Sequence, residues 1–258
     1  MSSHQTSQPP RFHWVLALLG ALAVFAFTRV RGEFAFYVAI HRWLKQQGLP
    51  DAARALDGQL LLIVASVVAA RVAYGRGETL RGLGLRASVL QGAVFALLAT
   101  APMAIQAAIA SDGLRTDLGT MRGVIVAPVV EELLFRAVLV AIPVRLGGLP
   151  FWPVSILSAL VFASTHVPWN SQFDNGHIGV LAATMAGGLW YAWILRIYAW
   201  NLWTTIFLHA GMNAAWMVFA VADSAAGGLW PNVGRGLTIA LGTVLAVRHR
   251  RRAPVTRP

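Results

Sequence analysis

Apolar runs of membrane-spanning scale recur along almost the whole chain, and few folds other than a membrane bundle can bury them. They cover residues 14–28, 59–74, 89–110, 120–146, 151–166, 177–198, 200–222 and 233–247. A bilayer core takes about 20 residues of helix, so the fifth and eighth runs are short and their ends soft. Composition points the same way. Apolar residues make up 57% and charged residues 12% of the chain, against roughly 45–50% and about 25% in soluble domains. Too few charges are present to cover a water-facing surface, so lipid must be part of the solvent. In lipid the backbone must satisfy its own hydrogen bonds. The expected fold is therefore all-α, a polytopic bundle of about eight transmembrane helices.

The formal charge is +11, from 21 Lys and Arg against 10 Asp and Glu. The basic residues sit between the apolar runs and in the tail at Arg248, Arg250, Arg251, Arg252 and Arg257. That distribution fits a positive-inside membrane protein facing anionic lipid. It does not form the basic stripe of a nucleic-acid binder, and no nucleic-acid partner is expected. Positive segments at 75–88, near Arg145, near Arg196 and at the C-terminus predict a multi-pass cell-membrane protein with both termini cytoplasmic. Arg29, Arg31, Arg42, Lys45 and Arg54, between the first two spans, pull against that orientation. With no cysteine, disulfides, thiolate zinc sites and cysteine nucleophiles are excluded.

Four regions follow. Residues 1–12 form a polar tail expected to be disordered. Residues 13–84 hold N-terminal helices with an interfacial segment over 33–58, where aromatic and basic residues mix. Residues 85–222 form the core with the chemistry described below. Residues 223–258 hold the last span and the basic tail. In the sixth span Thr184, Gly188 and Ala192 make one stripe of small residues, and Ala183 with Gly187 another. Such spacing predicts close helix packing in lipid.

The acids are the most informative residues. Of the ten, only Glu131 and Glu132 fall inside an apolar stretch. An ionised group at a helix centre costs about 2.5–3.5 kcal/mol even on insertion scales, so two adjacent ones need partners or a wet cavity. Arg136 lies four residues after Glu132, on the same helix face. Glu131 is turned about 100° away and is left to point elsewhere. Pro128, three residues earlier, predicts a kink that would widen a pocket.

Two histidines also lie at membrane depth. His166 ends the fifth span with Phe162 one turn before it, and His209 lies midway in the seventh with Asn213 one turn later. A carboxylate, two imidazoles and an amide from three helices can bind and activate water, the carboxylate taking the proton. Imidazole and amide donors can stabilise an oxyanion. Each member alone has a plainer reading: a structural ion pair for Glu132 and Arg136, a hydrogen-bonded packing residue for either histidine, interhelical glue for Asn213.

Together these residues resemble a known family. Glu131-Glu132-Leu-Leu-Phe-Arg136, Phe162-Ala-Ser-Thr-His166 and His209-Ala-Gly-Met-Asn213 are similar to the EExxxR, FxxxH and HxxxN motifs of the CAAX-protease and bacteriocin-processing family. That family includes the Ras-converting CAAX endoproteases and the Abi-type proteins. The resemblance spans roughly residues 85–222. Ala137 stands where the family often has glycine. The resemblance implies an intramembrane endopeptidase that cleaves a membrane protein or peptide near the membrane surface. In it Glu131 activates water, His166 helps hold that water, and His209 with Asn213 polarises the scissile carbonyl. Glu132, Arg136 and Phe162 support them. The family is described both as glutamate-type and as metal-dependent. No cofactor is the favoured expectation. The alternative is Zn2+ on Glu131, His166 and His209, an open His2Glu set, although no HExxH motif is present.

Two other classes compete. A proton-coupled transporter also carries intramembrane acids and histidines, but strings them across the membrane instead of gathering them. A non-catalytic membrane partner or immunity protein would have no reason to bear the cost of two mid-membrane glutamates.

Overall fold

The computed structural model describes residues 13–51, 56–111, 113–167, 173–222 and 225–252, and no strand occurs among them. The polar tail 1–12, the loop residues 168–172 and the final residues 253–258 lie outside the described residues. Among the described residues ten helices follow in order. They are α1 (His13–Val30, running into a 3₁₀ turn at Arg31–Glu33), α2 (Ala35–Gln46), α3 (Leu56–Tyr74), α4 (Thr79–Gly82), α5 (Val89–Ala110), α6 (residues 118–145), α7 (Phe151–Ser164), α8 (Asn175–Ile197), α9 (Leu202–Asn213) and α10 (Leu229–Arg252).

Among the described residues four stretches are long and apolar enough to cross a bilayer: His13–Glu33, Leu56–Tyr74, Val89–Ala110 and Asn175–Ile197. The other expected spans map onto helices that are interrupted, shorter or more charged: α6, α7, α9 and α10. The interfacial reading of 33–58 finds α2, which buries no side chain against the rest of the chain. The segment 75–88, expected as a loop, contains α4. Its Thr79 hydroxyl donates to the Gly75 carbonyl, and the Arg145 guanidinium donates to the Gly82 carbonyl at 2.8 Å. Gly84 has a φ of +77°, and a Cβ there would run into the Trp200 carbonyl. This close approach lets Leu202 N donate to the Gly84 carbonyl and ties the basic segment to the turn between α8 and α9.

Lipid-facing surfaces are apolar and inner surfaces are small or aromatic. On α5, Leu90, Leu97, Ile105 and Ile109 point outward, while Phe95, Ala96, Ala99, Met103 and Ala107 are buried. In water such an outer face would be a liability; in hydrocarbon it costs nothing. Helix α5 packs on α9 and α10, α1 on α3, and α7 on α8, with α6 in the middle against α3, α7 and α9.

Helix α6 departs most from ideal geometry. It passes through two π segments, Arg122–Val126 and Glu132–Ala141, separated by one α turn, Ala127–Glu131. Each ends two residues before a proline, Pro128 and Pro143. A proline has no N–H to donate and its ring crowds the carbonyl four residues back. Those carbonyls belong to Val124 and Leu139, both inside the π segments. Widening to an i→i+5 pattern relieves that crowding, so the kink expected at Pro128 is expressed as a bulge.

The widened turns expose carbonyls that neighbouring helices then satisfy. Asn213 Nδ2 donates to the Gly123 carbonyl at 2.9 Å. Ser158 Oγ donates to the Phe135 carbonyl at 2.7 Å. Side chains from α9 and α7 thus hold the two irregular stretches of α6 in place, as a low-dielectric interior requires.

Candidate active site

The junction of the α turn and the second π segment separates the two glutamates. Glu132 begins the π segment and is fully buried. Its Oε2 lies 3.3 Å from Arg136 Nε, the partner expected from the four-residue spacing. The Arg136 guanidinium is itself buried. It lies over the Phe162 ring at 4.3 Å and the Tyr191 ring at 5.3 Å, and its N–H groups have no well-formed hydrogen bond among the described residues. Aromatic faces thus supply part of the contact that water would give outside.

Glu132 also reaches α9. Its Oε1 is 2.9 Å from His209 Nδ1. A carboxylate accepts and does not donate, so this contact fixes a proton on Nδ1 and turns Nε2 towards the other glutamate. His209 Nε2 is 3.7 Å from Glu131 Oε2. The Glu131 side chain keeps 25% of its surface accessible, against none for Glu132. Of the adjacent acids, one is sealed into an Arg–Glu–His chain and the other opens onto a cavity.

That cavity has a volume of about 710 Å³ and is lined by Glu131, His166, His209 and Asn213 among others. The structure therefore brings all four candidate catalytic residues to one space. His166 lies just past the end of α7, where the Phe162 carbonyl lies 3.1 Å from its Nδ1 and the Thr165 hydroxyl also 3.1 Å. The carbonyl can only accept, so an Nδ1–H donating to it leaves Nε2 with a lone pair. Phe162 sits between Arg136 and His166, its ring 4.7 Å from the imidazole and edge-on to it. Asn213 gives one amide hydrogen to Gly123 and retains a second. His177 stands apart, capping α8 with Asp174.

Among the described residues no three His, Cys, Asp or Glu side chains come together as a metal-ligand set. As placed, Glu131, His166 and His209 do not form the zinc site that the resemblance allows, and no step below runs through a metal.

Several lining residues were not singled out from the sequence. Tyr191 is buried, its hydroxyl 3.2 Å from Met212 Sδ and its ring 5.2 Å from that of His209. A tyrosine well inside an apolar span was the available signal. Arg235 lines the same cavity from α10. The small-residue stripes also divide. Gly188 packs on Ala159 and Phe162, whereas a Cβ at Gly187 would meet nothing within 4 Å. Ala183 and Gly187 face the cavity.

Residues 117–215 match a family model described as type II CAAX prenyl endopeptidase Rce1-like. No curated protein and no solved structure matches the chain. The matched stretch contains Glu131, Glu132, Arg136, Phe162, His166, His209 and Asn213. Over that stretch the chain is similar to the Rce1-like type II CAAX prenyl endopeptidases.

Proposed function

We propose that the protein is an intramembrane endopeptidase that hydrolyses a peptide bond of a membrane-associated protein or peptide, with Glu131 as general base. The observation that carries this reading is the 3.7 Å separation of Glu131 Oε2 and His209 Nε2 at the edge of the cavity. It is too long for a direct hydrogen bond. With the Nδ1 proton committed to Glu132, both facing atoms are acceptors, and a water can bridge them by donating to each.

The chemistry follows from these positions. Water attacks the scissile carbonyl as Glu131 takes one of its protons. The free amide hydrogen of Asn213 faces the developing oxyanion. The proton on Glu131 passes to His209 Nε2, and the resulting imidazolium is held by the buried Glu132 carboxylate at Nδ1. Imidazolium Nε2–H then protonates the departing amine as the C–N bond breaks, leaving a carboxylic acid and an amine. Glu132 acts through His209, as the buried carboxylate of a hydrolytic triad acts through its histidine. His166 Nε2 helps hold the water as an alternative acceptor to His209 Nε2 for its second hydrogen.

The basic segments support a cytoplasmic placement of both termini, which puts the His166 end of α7 towards the outer leaflet. Such a site would suit processing of secreted or surface-anchored chains. Reporter fusions in segments 75–88 and 168–176 test this; a cytoplasmic 168–176 segment overturns the outward placement. The protease reading is tested by comparing protein termini, by mass spectrometry, in cells carrying the wild-type chain and Glu131→Gln. One or a few proteins should keep an uncleaved terminal segment only with the variant. Identical termini in cells expressing both forms would overturn it.

A further inference from the structure

The cavity that holds Glu131 carries a second kind of group for which the hydrolytic chemistry has no use. Arg235 enters it from α10 and Arg115 from the segment before α6. Both arginines lie outside residues 117–215, the stretch that matches the family model. Among the described residues neither has a carboxylate within 4.0 Å; the ion pairs there use other groups.

Arg235 is the more strongly positioned. It is half-buried, while its neighbours Val233 and Leu237 face outward. Its Nη2 donates to the Ala225 carbonyl at 2.9 Å, and its Cζ stands 3.9 Å over the Trp216 ring. One hydrogen bond and one aromatic face fix the plane of the guanidinium, while most of its five N–H donors are left for a ligand. Arg235, Glu131 and Tyr191 all line the one cavity. Met103, Trp190, Met212 and Ile239 supply apolar walls. An arginine held in place without a carboxylate partner, on the wall of a cavity that also has apolar walls, is built to receive an anion.

We propose that Arg235, with Arg115, forms an anion-binding subsite of the catalytic cavity, which receives a carboxylate or phosphate at the end of an apolar ligand. The volume of about 710 Å³ suits a short segment and not a folded domain. The anion comes either from the C-terminal carboxylate of a peptide or from the headgroup of an anionic lipid. The proposal rests on the protease reading only for the identity of the cavity.

The test reads binding, so that it can fail separately from the protease reading. The full chain and Arg235→Gln are reconstituted in nanodiscs of phosphatidylcholine, each also carrying Glu131→Gln to prevent turnover. Binding of dansylated tetraleucine is measured as the free acid and as the amide. Thermal unfolding without peptide is compared in phosphatidylcholine and in phosphatidylglycerol. If the peptide end is the source, the free acid binds roughly 10- to 100-fold more tightly than the amide, and Arg235→Gln removes the difference. If lipid is the source, the two peptides bind alike, and phosphatidylglycerol raises the unfolding temperature only when Arg235 is present. Arg235→Lys keeps the charge and should keep most of either preference, which separates loss of the subsite from loss of the fold. Anion preferences absent from the parent chain, or unchanged in Arg235→Gln, overturn the proposal.

Discussion

His209 Nδ1 and Glu132 Oε1 lie 2.9 Å apart, joining two helices 77 residues apart in the chain. The contact gives the buried glutamate two tasks. It neutralises Arg136 and it orients the imidazole that faces Glu131. Removing it should therefore be felt in stability as well as in turnover. Glu132→Ala strands a buried guanidinium and should cost about 3–5 kcal/mol. Thermal unfolding in detergent micelles measures this. An unfolding temperature equal to that of the parent chain would contradict the buried pairing.

The two donors that serve the π carbonyls make a matched comparison. Ser158→Ala and Asn213→Ala each leave one such carbonyl without its donor, and each should destabilise the fold by about 1–3 kcal/mol. Only Asn213 also lines the cavity. Its loss should lower kcat a further 10²–10³-fold or so, whereas Ser158→Ala should turn over substrate at close to the parent rate. Equal kinetic effects from the two would remove Asn213 from the oxyanion role.

Adjacent glycines on α8 should behave oppositely. A Cβ at Gly188 would lie 3.2 Å from Ala159 Cβ and 3.3 Å from the Phe162 ring. Gly188→Leu should thus overpack the α7–α8 interface at a cost of about 1–3 kcal/mol or more. Gly187→Leu meets no such wall and should fold near normally. Its side chain would occupy part of the cavity and raise KM. Unfolding temperature and KM, measured on both variants, separate the two cases. A large loss of stability in Gly187→Leu would contradict an open space beside that residue.

The division of labour between the two glutamates was legible in the sequence, because Arg136 stands one turn from Glu132 and leaves Glu131 unpaired. The convergence of Glu131, His166, His209 and Asn213 on one cavity was legible from the motifs they form. The hydrogen bond between Glu132 and His209 was not, because periodicity reports neighbours within a helix and says nothing of which helices meet. Pro128 signalled an irregular helix, but a proline does not tell whether crowding is relieved by a bend or by a widened turn. Ala183 and Gly187 read as a packing stripe since small side chains mark a face of low relief without naming what fills it. Arg235 was lost in the opposite way, as one charge near the start of a short apolar run whose C-terminal end is basic.

The most direct test of Glu131 as base uses a substrate identified from the comparison of termini and the purified chain in nanodiscs, with reaction in H₂¹⁸O. Glu131 as general base predicts one ¹⁸O in the new C-terminal carboxylate and a fall of about 10²–10⁴-fold in kcat for Glu131→Gln, at an unfolding temperature close to that of the parent chain. A Glu131→Gln protein that cleaves at the parent rate, or a product without label, would contradict it.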